Sequence, residues 1–174
     1  MSELSGASWV SRFPTSTSVE DLDPAFRSAV TQFIDAINAA GGRVRVSATY
    51  RPAERAYLMH FAWDVANGLC SPSAVPAMVG VDIQWDHGDD AASKKAAQEM
   101  VRAYQIVFRP SLTSNHSGRT AIDMTISDVV KKIVKNKSGD DVEIKKLSDL
   151  NAVGASFGVY KLVSDPPHWS ADGR

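Results

Sequence analysis

One cysteine, Cys70, is all the sulfur chemistry available to thiol groups in 174 residues. No intrachain disulfide can form, a cysteine-built zinc finger is excluded, and the chain suits a reducing compartment. Charge of either sign is not in excess. The formal net charge is −1, so no global field recruits nucleic acid or an anionic membrane. No apolar run approaches the length of a membrane span. The first twenty residues lack a basic segment followed by an apolar one, so no signal peptide is read there. What is present is ordinary for a soluble domain, with 44% hydrophobic and 22% charged residues. At this length one domain with a sizeable core is expected, and a monomer.

Along the chain, residues 1–20 are rich in Ser and Thr and read as an irregular lead-in, with Trp9 and Phe13 as anchors. Asp21 or Asp23 caps the next helix, with Pro24 in its first turn. Phe26, Val30, Phe33, Ile37 and Ala40 then mark one helical face, and Gly41-Gly42 stops it. Residues 43–49 alternate, Val44, Val46 and Ala48 against Arg43, Arg45 and Ser47, which predicts a half-buried strand. A helix follows from about Ala53 to Asn67. His60, among apolar helix residues, reads as a satisfied boundary group. Residues 68–90 form a loop-rich excursion. Its Asp86-His87 pair reads as turn chemistry or at best groove lining, because adjacent side chains diverge. A helix is expected over 91–104, and Ala121 to Ile126 alternates as a strand with Ala121, Asp123 and Thr125 on one face. Residues 128–146 read as a Lys-rich solvated hairpin around Asn136–Asp140. Ser148 opens a short helix closed by Gly158, and residues 159–163 form a last strand.

The chemistry concentrates in two segments, Ser114-Asn115-His116-Ser117-Gly118-Arg119-Thr120-Ala121-Ile122-Asp123 and Asp165-Pro166-Pro167-His168-Trp169. Together they supply two imidazoles and two carboxylates, the stock for three metal ligands and one proton-transfer group. They resemble the signature of the zinc D,D-/L,D-peptidases that cut the peptide stems of bacterial cell walls, a group that includes D-alanyl-D-alanine carboxypeptidases and phage L-alanyl-D-glutamate endolysins. The family's first motif reads S-x-H-x-x-G-x-A-x-D, and Ser114, His116, Ala121 and Asp123 are in register with it. Gly118 comes one residue early, so Arg119 stands in the glycine's place. The second motif, E/D-x-x-H, is matched by Asp165 and His168, with Asp where the carboxypeptidase branch usually has Glu. Upstream, Tyr50-Arg51 resembles the family's S-x-Y-R strand end, with Ala48 for the serine. The likeness spans about Val44 to Trp169.

The resemblance implies an α+β fold, a small antiparallel sheet flanked by helices of the hedgehog/D-Ala-D-Ala peptidase type, forming a single catalytic domain over the whole chain. It implies Zn2+ on His116, Asp123 and His168, with Asp165 as the base. Arg51 would hold the substrate carbonyl or carboxylate, and Tyr50, Ser114 and Trp169 would line the substrate. Read from the residues alone, Arg51 is equally a solvated arginine at a strand end. Pro166 and Pro167 favour an extended, polyproline-like segment that sets positions 165 and 168 on one side, roughly 9 Å apart. The expected partner is the peptidoglycan stem peptide, not nucleic acid or membrane. The expected activity is hydrolysis of an L-Ala–D-Glu or D-Ala–D-Ala amide in a lytic role. Two further readings stay open: a silent wall-binding module, which the Gly118/Arg119 departure keeps open, and a hydrolase of another amide. Without an export signal, the enzyme would reach the wall through a phage pore or by injection.

Overall fold

Helix α1 (Pro24–Ala39) shows how closely local signals set the architecture of this computed structural model, which describes residues 2–174. Asp23 caps it by accepting from the Ala25 and Phe26 amides, and Pro24 occupies the first turn. Its stripe of Phe26, Val30, Phe33 and Ile37 is buried. At Gly42 a Cβ would meet the Ile37 side chain at 2.7 Å, so the chain leaves the helix where only glycine fits.

The chain divides into two compact units, Thr15–Tyr50 with Asn115–Arg174, and Met1–Pro14 with Arg51–Ser114. The first of these is built on a four-stranded antiparallel sheet. Its strands are β2 (Arg43–Ala48), β4 (Ala121–Ser127), β7 (Tyr160–Lys161) and β8 (His168–Ser170), in the order β2-β4-β8-β7. Ile122, Met124 and Ile126 of β4 point into the core with α1, and Asp123 and Thr125 project from the other face. The register pairs Ala48 with Asp123 and Asp123 with His168, so the central strand carries its carboxylate beside an imidazole. A two-stranded ribbon, β5 (Ile133–Lys135) with β6 (Asp141–Glu143), forms the expected hairpin. Helix α4 (Leu150–Phe157) ends at Gly158, whose φ of 88° is left-handed.

The other unit packs α2 (Ala53–Ala66) and α3 (Asp90–Ala103) around Tyr57, Leu58, Phe61, Trp85, Ala97 and Met100. Its N-terminal stretch is more ordered than an irregular lead-in. β1 (Glu3–Leu4) pairs in parallel with β3 (Ile83–Gln84), and Trp9 is buried. Asp86 does serve its own turn, accepting from the Gly88 amide, and His87 Nε2 lies 3.0 Å from Ser5 Oγ. Among the described residues no helix is long and apolar enough to cross a membrane.

Two local expectations need correction. Ser148 does not cap the last helix. Asp149 does the local work instead, its carboxylate accepting from the Lys145 and Lys146 amides. The segment around the prolines is not extended. After β7 the chain reverses, with the Asp165 amide donating to Leu162 O and the His168 amide to Asp165 O. Lys161 drives the turn, its Nζ donating to the carbonyls of Leu162, Asp165 and His168. Three main-chain acceptors on one ammonium outweigh the prolines' extended preference, and His168 and Trp169 start a fourth strand.

Candidate metal centre

Three side chains from two segments converge within one unit. The donor atoms of His116, Asp123 and His168 all lie within 4.8 Å of one another. His116 Nε2 is 3.1 Å and His168 Nδ1 is 3.0 Å from the same oxygen, Asp123 Oδ1. The rings meet nearly edge to face, with centroids 5.0 Å apart. Both imidazoles are buried and Asp123 keeps one edge exposed.

The site is assembled by strand geometry. Asp123 and His168 are paired residues on neighbouring antiparallel strands, and same-face partners in that position bring their side chains together. His116 comes from the turn before β4, where its carbonyl accepts from the Arg119 amide and Asn115 O accepts from the Thr120 amide. That turn needs a left-handed residue, and Arg119 supplies it at φ 62°. The missing family glycine is thus replaced by an arginine in the conformation glycine would adopt. Its guanidinium stacks on Tyr50 at 3.8 Å and donates to Asp21 O, which holds the strained backbone in place.

The outer nitrogens of both rings are already spoken for. His116 Nδ1 donates to Thr49 O at 2.7 Å, and His168 Nε2 donates to Arg174 O at 3.1 Å. Each ring therefore turns its other nitrogen, as a lone pair in the neutral form, towards Asp123. Burial pushes the Asp123 carboxyl up, but hydrogen bonds from His116 and His168 and their charges outweigh it and hold the group far below the ordinary carboxylate range. The hydrogen bond to Asp123 raises His168, against burial and with help from Arg174 O.

A tetrahedral zinc with donors at about 2.0–2.1 Å separates those donors by roughly 3.3 Å. The separations of 3.0 and 3.1 Å to Asp123 Oδ1 are near that spacing, and all three donor pairs lie within 4.8 Å. Two imidazoles, neutral when they ligate, and one carboxylate make a donor set that fits a divalent cation.

The other predicted residues divide. Asp165 is exposed on the β7–β8 turn, and its charge contributes to raising His168 and opposes the burial that lowers Lys161. Tyr50 lies in the same unit, half-buried, with one ring face under Arg119. Trp169 alternates with His168 along β8, and its buried ring packs against Phe33 at 5.2 Å. Arg51 and Ser114 belong to the other unit, and their substrate roles stand on the resemblance alone. Sequence reasoning missed Thr49, Asn115 and the turn at Asp172–Arg174. Two of these act through main-chain oxygens, which leave no mark in residue type.

No family model matches this chain, and no curated protein matches it. Among solved structures it is similar to a vancomycin-resistance D,D-pentapeptidase, VanY from a VanB-type resistance cassette, crystallised as a point mutant in complex with Zn(II). The identity is 17% over 86% of this chain and 71% of that one, with a TM-score of 0.40. Likeness at that level is coarse, and the functional reading below stands on the side chains.

Proposed function

We propose that this chain is a zinc-dependent peptidase that hydrolyses an amide bond of the peptidoglycan stem peptide, in a lytic role. The observation that carries it is the convergence of His116, Asp123 and His168, with each imidazole's outer nitrogen held by a main-chain oxygen. Zinc bound there supplies Lewis acidity, polarising the scissile carbonyl and making an attacking water more acidic. The chain's own groups do the rest. Thr49 O and Arg174 O orient the two rings. Asp165, exposed on its turn and felt electrostatically by His168, takes a proton from the water and returns one to the leaving amine. Arg51 stabilises negative charge developing on the carbonyl oxygen. Asp at position 165 favours cleavage between L-Ala and D-Glu over removal of a terminal D-Ala. Delivery to the wall by release through a phage pore or by injection is part of the same proposal.

A silent wall-binding module is the reading that the displaced glycine kept open. Arg119 at φ 62° gives the turn the conformation that glycine would give, which removes that support. The deciding experiment is digestion of purified muropeptides read by mass spectrometry, with zinc measured per chain. One zinc and a new amine are expected. Asp165→Asn should keep the zinc and lose about 10²–10⁴ in turnover. Zinc-loaded protein that binds stem peptides and releases no amine would defeat the peptidase reading.

A further inference from the structure

The turn that follows β8 is tied back to the first metal-binding loop by one side chain. Asn115, immediately before His116, donates from Nδ2 to Arg174 O at 2.6 Å and to Asp172 Oδ1 at 2.7 Å. Both amide hydrogens are thereby used. Arg174 O also accepts from His168 Nε2, so both of its lone pairs are used too. Asp172 Oδ1 is the hub of the turn, accepting in addition from Ser170 Oγ and the Arg174 amide. The Gly173 amide donates to Ser170 Oγ, and the Ala171 amide to Thr120 O. Asn115 therefore touches the oxygen that fixes His168 while its own backbone carries His116. The turn is largely exposed, and Asn115 ties it to the loop that carries His116.

We propose that Asn115, acting through Asp172 and Arg174 O, is a positioning residue of the metal centre that locks His168 with Nδ1 towards the ion and couples the two ligand-bearing segments. The inference rests on the metal reading above. An imidazole with an unheld outer nitrogen rotates about its χ2 and loses part of its affinity for metal, an effect of about ten- to a hundredfold for outer-shell partners. Asn115 touches no substrate in this scheme, so its substitution acts on metal affinity first.

The test compares the full chain with Asn115→Ala, Asp172→Ala and Asp172→Asn. Zinc dissociation constants are measured by competition with a chromophoric chelator, and backbone ¹⁵N relaxation at Gly173 and Arg174 is measured on zinc-free protein. Asn115→Ala and Asp172→Ala should each loosen the turn and weaken zinc by about ten- to a hundredfold. Asp172→Asn keeps the Oδ1 acceptor but gives up the Oδ2 that accepts from the Arg174 guanidinium, so its affinity should fall between the native and alanine values. The two alanine variants approach the turn from opposite sides, so a folding failure in one leaves the other to report. A turn that stays rigid in both, or that loosens with unchanged zinc affinity, overturns the proposal while leaving the metal site intact. Native protein that takes up no zinc overturns the metal reading itself, and with it this one.

Discussion

Two clusters in this molecule put histidine beside an aspartate, buried at Asp64 and partly exposed at Asp123, and they are built for different ends. In one unit Asp64 accepts two hydrogen bonds from Arg109, at 2.8 and 2.7 Å, with His60 Nε2 3.3 Å away and His60 Nδ1 on Pro110 O. In the other, Asp123 Oδ1 meets two imidazoles, at 3.1 and 3.0 Å. The first carboxylate has its charge answered by a permanent cation in bidentate geometry, and the cluster fastens the 109–110 segment to α2. The second meets two imidazoles, which can shed protons. A His–Asp pair closed by a bidentate arginine is a clasp, and a carboxylate shared by two imidazoles is a donor set for a metal. Residue types alone do not separate them, since His60-x-x-x-Asp64 has the helical spacing of a ligand pair.

The largest expected contrast is all-or-none. His116→Ala should abolish stoichiometric zinc binding and with it any zinc-dependent rise in thermal stability. In the native protein that rise corresponds to about 2.7 kcal/mol at free zinc a hundredfold above its dissociation constant. His60→Ala should leave both untouched. Calorimetry with and without a chelator separates the two, and equal responses would erase the distinction between clasp and site.

Next in size is the clasp itself. Arg109→Ala strips the buried Asp64 carboxylate of its two strongest donors. The guanidinium is about half exposed, with 54% relative side-chain exposure, so solvent screens part of the loss. A lower urea midpoint is expected, with zinc stoichiometry unchanged. A loss of zinc in this variant would mean that the two clusters are not independent.

The pH dependence sharpens the same point. In zinc-free protein His168 has a folded pKa raised above its ordinary 6.5, so its contribution to stability is complete below 6.5 and is lost as pH rises through the folded value. Asp123 is depressed below its ordinary 3.8, so its contribution is complete above that value and is lost only as pH falls through the folded one. Zinc displaces the proton between the groups, so its affinity should climb with pH by up to about tenfold per unit for each proton released. Thermal midpoints from about pH 6 to about pH 8 should fall without zinc and hold or rise with it. Parallel curves would argue against shared donors.

Much of the architecture could be read from local pattern. The Asp23-Pro24 start, the Phe26 to Ile37 stripe and the alternation at 43–48 and 121–126 each reflect one dominant local force, and the elements formed where those forces act. His116, Asp123 and His168 were legible because side-chain identity carries the chemistry. The β7–β8 turn was not legible. Its shape is set by Lys161 reaching three carbonyls that exist only once the turn has formed, and proline propensity pointed the other way. The packing of Trp169 on Phe33 was hidden for a related reason, since its side depends on a strand that the turn creates. The ring-orienting contacts of Thr49 and Arg174 are main-chain oxygens, invisible to any reading of residue types.

The smallest expected effect tests whether the metal-bearing turn tolerates its arginine by compensation. Arg119 at φ 62° carries a left-handed strain of about 1 kcal/mol that glycine would not. Against it stand the stack on Tyr50, worth about 0.5–1 kcal/mol, and a hydrogen bond to Asp21 O. Arg119→Gly removes strain and compensation together, so its stability should stay within about 1 kcal/mol of the native chain. Arg119→Ala removes the compensation and keeps the strain, so it should fall below Arg119→Gly by about 1 kcal/mol. Tyr50→Ala in the native background should cost about what the stack supplies, and nothing further in Arg119→Gly, where no guanidinium is left to stack beyond the shared loss of ring packing. Denaturant midpoints for the four chains close the cycle. If alanine at 119 proves as stable as glycine, the turn is not held in the left-handed region in solution, and His116 is positioned by something other than the loop that precedes β4.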